Sequence, residues 1–340
     1  MDSRIKKYSP IAAVALFAAL GVLLLPGQSY RYRERPLPAT FEEFYQSKLA
    51  ASRVMNTRAG NEERLVRNVP GRSRAAFLYI HGFGASRAEG EEVMDKIAGN
   101  FKANLYYVRL PGHGTNPEDH ASHTFDEYLD EGEISLRMMP QIGEKIFLVG
   151  TSMGGLISTY LAADRPDLVA GLILAAPFFD FVDSRANLAG YPGGVKAVEL
   201  IAGASTRDNG KHPGDPNDTR IAGFENYWYT RQYFSAIQSL VRLKMAVNKP
   251  EILARVRVPV LMIYYYKDEE HQDNTASVPA MLESFHRMGG DSPHPLNRAA
   301  AIAGGSHVLM SRWVPTDKAL IEKHLTEFIN DVLVYAPQKP

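Results

Sequence analysis

Residues 145–155, Lys-Ile-Phe-Leu-Val-Gly-Thr-Ser-Met-Gly-Gly, constrain this chain more than any other stretch. Ile146 to Val149 is continuously apolar, the pattern of a strand covered on both faces as in a parallel sheet. After the Gly-x-Ser-x-Gly turn the period becomes helical. Leu156, Ile157, Tyr160 and Leu161 share one stripe until Asp164-Arg165-Pro166, where the proline cannot continue a helix. A strand, a sharp turn and a helix with serine at the apex form a nucleophile elbow, in which Gly150 and Gly154 leave room where a Cβ would clash. Ser152 is therefore the candidate nucleophile, set against the plainer alternative of a glycine-rich connection with an incidental serine.

The same alternation runs through the rest of the chain. Residues 75–84 read as a second buried strand ending in His81-Gly-Phe-Gly, followed by a helix with Val93, Met94, Ile97 and Phe101 inward. Leu105 to Leu110 reads as a third strand before Pro111-Gly-His-Gly, and Leu172 to Ala176, Pro259 to Tyr266 and Arg298 to Ala303 as three more. Strands alternating with helices imply an α/β fold, a mainly parallel sheet flanked by helices, with active groups at the carboxyl ends of the strands. Residues 181–255 break the alternation. Their Gly, Pro and Asn content, followed by Tyr227-Trp-Tyr and Tyr233-Phe, reads as an inserted lid or cap whose aromatics cover a site rather than face solvent.

With 340 residues, 45% of them hydrophobic, the chain can bury a large core. Lys plus Arg and Asp plus Glu both number 38, so no overall basic field argues for nucleic acid. The absence of cysteine excludes disulfides, thiolate metal sites and a cysteine nucleophile. No metal and no cofactor is expected. His113, His120 and His123 lie close in sequence but lack a helical His-x-x-x-His pair for a metal. His81 and His113 are expected to hold turns by hydrogen bonds.

The N-terminus carries Arg4, Lys6 and Lys7 before an apolar run over residues 11–25, so residues 1–30 are expected to be a signal anchor or a cleaved signal peptide. This implies a membrane-anchored or exported protein with its main domain on the extracytoplasmic face. Residues 31–68 are expected to form a linker and a helix that starts at the Thr40–Glu43 capping box and docks through Phe41, Phe44, Tyr45 and Leu49. The core is then expected to span 69–180 and 256–335, interrupted by the lid at 181–255.

His81-Gly-Phe-Gly, Leu110-Pro-Gly-His-Gly, Gly150-Thr-Ser-Met-Gly-Gly and the late pair Asp268 and Ser306-His307 occur in an order that resembles the α/β-hydrolase family. The nearest likeness is to monoacylglycerol lipase-like lipases and bacterial carboxylesterases, over about residues 75–330. The resemblance implies the α/β-hydrolase fold and a Ser-His-Asp triad, with Ser152 as nucleophile, His307 as base and Asp268 orienting it. It also implies an oxyanion hole made by the backbone N–H groups of Phe83 and Met153. His271 is the rival base, and Asp273 is expected to cap the next helix. Where the family often has glycine three residues before the acid, this chain has Tyr265.

Together these features point to hydrolysis of carboxylic esters, lipid-like or small, through an acyl-enzyme. Tyr227, Trp228 and Tyr233, with Tyr229 and Phe234, are expected to line an acyl channel. Lysophospholipase, aminopeptidase and acyltransferase activities occur on the same fold, and a non-catalytic binding protein could also keep it.

Overall fold

The computed structural model describes residues 30–32, 34–209 and 221–335. The expected N-terminal anchor, residues 1–30, lies almost wholly outside the described residues. Among those described, no helix is long and apolar enough to cross a membrane.

Among the described residues, seven strands form the main sheet: β1 (Arg64–Val66), β2 (Ser73–Ile80), β3 (Asn104–Tyr107), β4 (Gly143–Thr151), β5 (Gly171–Ala175), β8 (Val260–Tyr265) and β9 (Arg298–Ile302). Their order is β1-β3-β2-β4-β5-β8-β9, and every pairing is parallel except β1 with β3. The central strands are buried on both sides: Phe77, Leu78, Tyr79 and Ile80 of β2 and Phe147, Leu148 and Val149 of β4 have no exposed surface. That dry environment is why they read as unbroken apolar runs rather than as alternation. β1 falls in the stretch expected to be linker. Its three residues are too few to carry a period, and it is recruited to the edge by the register Arg64 to Tyr107.

The helix Phe41–Val54 starts at the Thr40/Glu43 capping box. Its Phe41 and Phe44 rings meet Tyr106 of β3 edge-on, with centroids 5.3 and 5.7 Å away. The helix Met153–Asp164 is buried on every side up to Ala163, between the sheet and the helices Phe125–Met138 and Phe234–Val247. It stops before Pro166, which disfavours helical geometry at Arg165.

The insertion has two parts. Residues 184–202 form a 3-10 turn (Ser184–Gly190) and a helix (Gly194–Ala202), and β6 (Thr206–Asp208) pairs antiparallel with β7 (Arg231–Tyr233). The longest helix among the insertion's described residues, Phe234–Val247, sends Leu240, Leu243, Ala246 and Val247 into the main core.

One buried ion pair ties the periphery to the loops above the sheet. Arg109 donates through Nε to Glu63 Oε1 at 3.2 Å and to Ser52 Oγ at 2.7 Å, and through Nη1 to the His113 carbonyl at 3.1 Å. Both charged side chains are nearly inaccessible. Removing one partner would leave the other charge buried and unpaired. Arg109→Met is therefore expected to cost about 3–5 kcal/mol of unfolding free energy in a denaturant titration, and a loss below about 1 kcal/mol would show that the pair adds no net stability.

Candidate active site

The elbow forms where β4 runs into the helix Met153–Asp164. Ser152 sits at the apex with φ +52°, a backbone that only a tightly packed turn imposes on a non-glycine residue. A Cβ on Gly150 would lie 2.3 Å from the Gly154 carbonyl oxygen, and one on Gly154 would lie 2.0 Å from that of Ile80. Both glycines are required by close approach of backbone. The turn is pinned to the end of β5 by Ser152 N–H to Ala175 O, 3.1 Å, and by Phe178 N–H to Ser152 O, 3.0 Å.

His307 arrives on the loop after β9, and its Nε2 lies 2.8 Å from Ser152 Oγ. Its Nδ1 lies 2.6 Å from Oδ2 of Asp273, whose side chain is fully buried. Nδ1 therefore carries the proton it gives to the carboxylate, leaving Nε2 to accept from the serine hydroxyl. The other Asp273 oxygen accepts the N–H groups of Thr275, at 2.8 Å, and Ala276, at 2.9 Å.

Asp268 is not at this position. It is half-exposed and closes a local turn, accepting from the His271 N–H at 2.9 Å and facing His271 Nδ1 at 2.7 Å. The rival base His271 is thus Asp268's own partner and stands away from Ser152. The cause is an excursion of residues 266–272. A bridge between Tyr266 and Gln272 closes it, and the Asp273 N–H returns to the Tyr265 carbonyl at 3.1 Å. In space, Asp273 is the residue that follows β8. Nor does Asp273 cap a helix: the helix Val278–Arg287 is capped by Ser277.

The loop 81–84 lies against the serine, and a Cβ on Gly82 would come 3.1 Å from Ser152 Cβ. Both peptide groups of Gly82 are held. Its N–H donates to Glu89 Oε2 at 2.5 Å, and its carbonyl accepts from His81 Nδ1 at 2.9 Å. The second bond fixes the Gly82–Phe83 peptide plane and hence the direction of the Phe83 N–H, which has no acceptor among the described residues. Met153 is the first residue of its helix, so its N–H has no intrahelical partner.

His81 Nε2 accepts the Leu110 N–H at 3.2 Å, and His113 Nε2 accepts the Gly84 N–H at 3.1 Å. Burial pushes His81 down to about 4 and His113 well below the usual histidine range, so both remain neutral acceptors. The ring nitrogens of His113 are thus engaged with backbone, and His123 faces Asp119 and Glu127. His120 packs between the rings of His113 and Tyr229, with centroids 4.5 and 5.1 Å away.

A cavity of about 490 Å³ opens over Ser152, lined by the apolar side chains of Phe83, Phe181 and Trp228 and by Glu89, Arg207 and Gln232. Of the aromatics expected to line an acyl channel, Trp228 lines this cavity. Tyr227 instead stacks against Trp313 at 5.5 Å, and Tyr233 bonds to Glu118 at the surface. Phe234 packs against Ile237 and Val241. Tyr229 is buried outside the cavity, where it donates to the Gly112 carbonyl at 2.8 Å and accepts the Thr115 N–H at 2.9 Å. The hairpin explains the split. Arg231 and Tyr233 point outward to Glu118, so Gln232 between them must point inward.

Two buried carboxyl groups bear on His307. Burial works against its positive charge, but the charge and hydrogen bond of Asp273, reinforced by Glu89, outweigh it and raise its pKa. Burial pushes Glu89 up to about 7, against the pull of the Gly82 N–H and of His307.

A family model described as the alpha/beta hydrolase family matches residues 77–316. A pimeloyl-[acyl-carrier protein] methyl ester esterase of Neisseria meningitidis is 28% identical over 237 residues, 66% of this chain and 85% of the relative. A thermostable monoacylglycerol lipase of Bacillus sp. is 29% identical over 197 residues, 57% of this chain and 70% of the relative. Among solved structures, a metagenome-derived lipolytic enzyme has TM-score 0.62 at 20% identity, covering 81% of this chain and 99% of its own. The monoacylglycerol lipase of Paleococcus ferrophilus has TM-score 0.56 at 15% identity, with coverage of 80% and 99%. At these identities the two structures establish a shared fold.

An anion that favours imidazolium raises its pKa, so removing the anion must lower it. The NMR titration of His307 is expected to show a midpoint above 6.5 that falls in Asp273→Asn and, by less, in Glu89→Gln. An unmoved midpoint in both variants would contradict this electrostatic assignment.

Proposed function

The chain belongs to the α/β-hydrolase family, and on that footing we propose that it hydrolyses carboxylic esters through an acyl intermediate on Ser152. The observation that carries the reading is the hydrogen-bonded chain Ser152–His307–Asp273 on the floor of the cavity. A serine hydroxyl is a weak nucleophile at neutral pH. His307 Nε2 takes its proton as Oγ attacks the ester carbon, then returns that proton to the departing alcohol. Asp273 holds the imidazole with Nδ1 protonated and stabilises its positive form. The oxyanion of the tetrahedral intermediate is received by the Phe83 and Met153 N–H groups, which need no side chain for the role. Water then repeats the sequence on the acyl-serine.

Curated relatives named as a methyl ester esterase and a monoacylglycerol lipase support ester hydrolysis over peptide or acyl transfer. The presence of Phe83, Phe181 and Trp228 in the cavity lining supports a substrate with an apolar portion. We also propose an extracytoplasmic location, which rests on the apolar run 11–25 and its basic flank alone; resistance of the protein to carbonate extraction from membranes would support anchoring, and release into the soluble fraction would count against it.

Purified protein is expected to cleave p-nitrophenyl esters, with preference changing gradually along a graded acyl series, because an apolar pocket discriminates by only about 1–3 kcal/mol per methylene. Asp273→Asn is expected to lower kcat by about 10³–10⁴-fold through loss of the productive tautomer, while Asp268→Asn stays within a few-fold of wild type. The opposite ranking would return the acid to Asp268, and no cleavage of any ester by folded wild-type protein would overturn the reading.

A further inference from the structure

The cavity over Ser152 has a mixed lining: the apolar side chains of Phe83, Phe181 and Trp228, the carboxyl groups of Glu89 and Asp183 and the guanidinium of Arg207. Both carboxyl groups are engaged, Glu89 with the Gly82 N–H at 2.5 Å and Asp183 with Arg185 at 2.6 Å. Arg207 is not so matched. It lies on β6 directly across from Gln232 on β7, and its Nε and Nη2 both donate to the same oxygen, Gln232 Oε1, at 3.0 and 2.7 Å. Two of its five N–H groups are thus used, and the other three have no acceptor among the described residues. Among the described residues no carboxylate comes within ion-pair distance of it.

Burial lowers the pKa of the Arg207 guanidinium, and no carboxylate among the described residues offsets that desolvation. Its direction is also preset. Gln232 is 1% exposed and packs against the loop beside Ser152, where a Cβ on Gly84 would lie 2.5 Å from Gln232 Nε2. A fixed, planar cation on the wall of a reaction cavity, with donors to spare, matches the two-oxygen geometry of a carboxylate or phosphate.

We infer that Arg207 is an anion-binding subsite, and that the esters this cavity takes carry a carboxylate or phosphate group on their acyl or alcohol part. The inference rests on the ester-hydrolase reading and narrows it. The apolar side chains Phe83, Phe181 and Trp228 take the carbon chain, Ser152 receives the ester carbonyl, and Arg207 receives the charged end. Glu89 stays on the Gly82 N–H and does not compete for the cation.

Calorimetric titration of the full-length Ser152→Ala protein tests this without turnover. The probes are two matched pairs: monomethyl and dimethyl glutarate, and 1-butyryl-glycerol 3-phosphate and 1-butyryl-glycerol. The charged member of at least one pair is expected to bind at least tenfold more tightly than the neutral one, and the pair with the larger gain identifies the anionic group. The preference is expected to vanish in Ser152→Ala/Arg207→Gln and to persist in part in Ser152→Ala/Arg207→Lys, which keeps charge but loses the fork. Equal binding of charged and neutral probes in both pairs, or a preference that survives in the Gln variant, would overturn the inference. If the Gln variant fails to fold by its melting curve, the Lys variant decides, since full retention of the preference there would show that the fork plays no part. Failure of wild-type protein to cleave any ester would sink the hydrolase reading separately, because these affinities do not depend on cleavage.

Discussion

Gly154 approaches the end of β2 so closely that any side chain there would overlap the Ile80 carbonyl. This backbone contact seats the helix Met153–Asp164 across β2 and β4, and the rest of the site depends on it. It drives the turn before the helix into the left-handed conformation seen at Ser152, a strain of order 1–3 kcal/mol that the surrounding packing must hold. It also brings the first N–H of the helix beside the loop that leaves β2. The Ser152 hydroxyl and the Met153 N–H are thus positioned by one packing event. Only sheet and helix cores as dry as these keep such a turn from relaxing.

Around that contact the loops are held by neutral polar groups rather than by charge. His81 and His113 each accept a backbone N–H and donate to a carbonyl, which an imidazolium could not do. Burial keeps them unprotonated. Farther out, Arg109 joins the His113 carbonyl to Ser52 and Glu63, so the N-terminal helix is coupled to the loops that flank the serine. Tyr229 does the same from the insertion by bonding to Gly112 and Thr115. In this way the insertion is part of the scaffold of the site as well as of its cavity lining.

The sheet, the elbow and His307 were legible in the sequence because each depends on local pattern: apolar runs, glycines at fixed offsets, a histidine after the last strand. Asp273 was not. Its place depends on the excursion at 266–272, which sequence distance cannot distinguish from the start of a helix, and the departure at Tyr265 was the visible sign that the stretch is unusual. The aromatics of the insertion misled for a related reason. Aromatic content signals burial without saying against what, and Tyr227, Tyr229 and Tyr233 bury or anchor outside the cavity. Alternation along Arg231-Gln232-Tyr233 held the information that Gln232 turns inward, but three residues are too short a strand to read. Glu89 carried no signal, since its role follows from a turn that brings it back onto Gly82.

The central claim is that Ser152 alone is made nucleophilic by His307 and Asp273. It is tested most directly by treating the folded protein with a fluorophosphonate and mapping the modified peptide by mass spectrometry. The expected result is a single adduct on Ser152 that forms far more slowly in His307→Ala and not at all in Ser152→Ala. An adduct on a different serine, or labelling that is undiminished in His307→Ala, would contradict it.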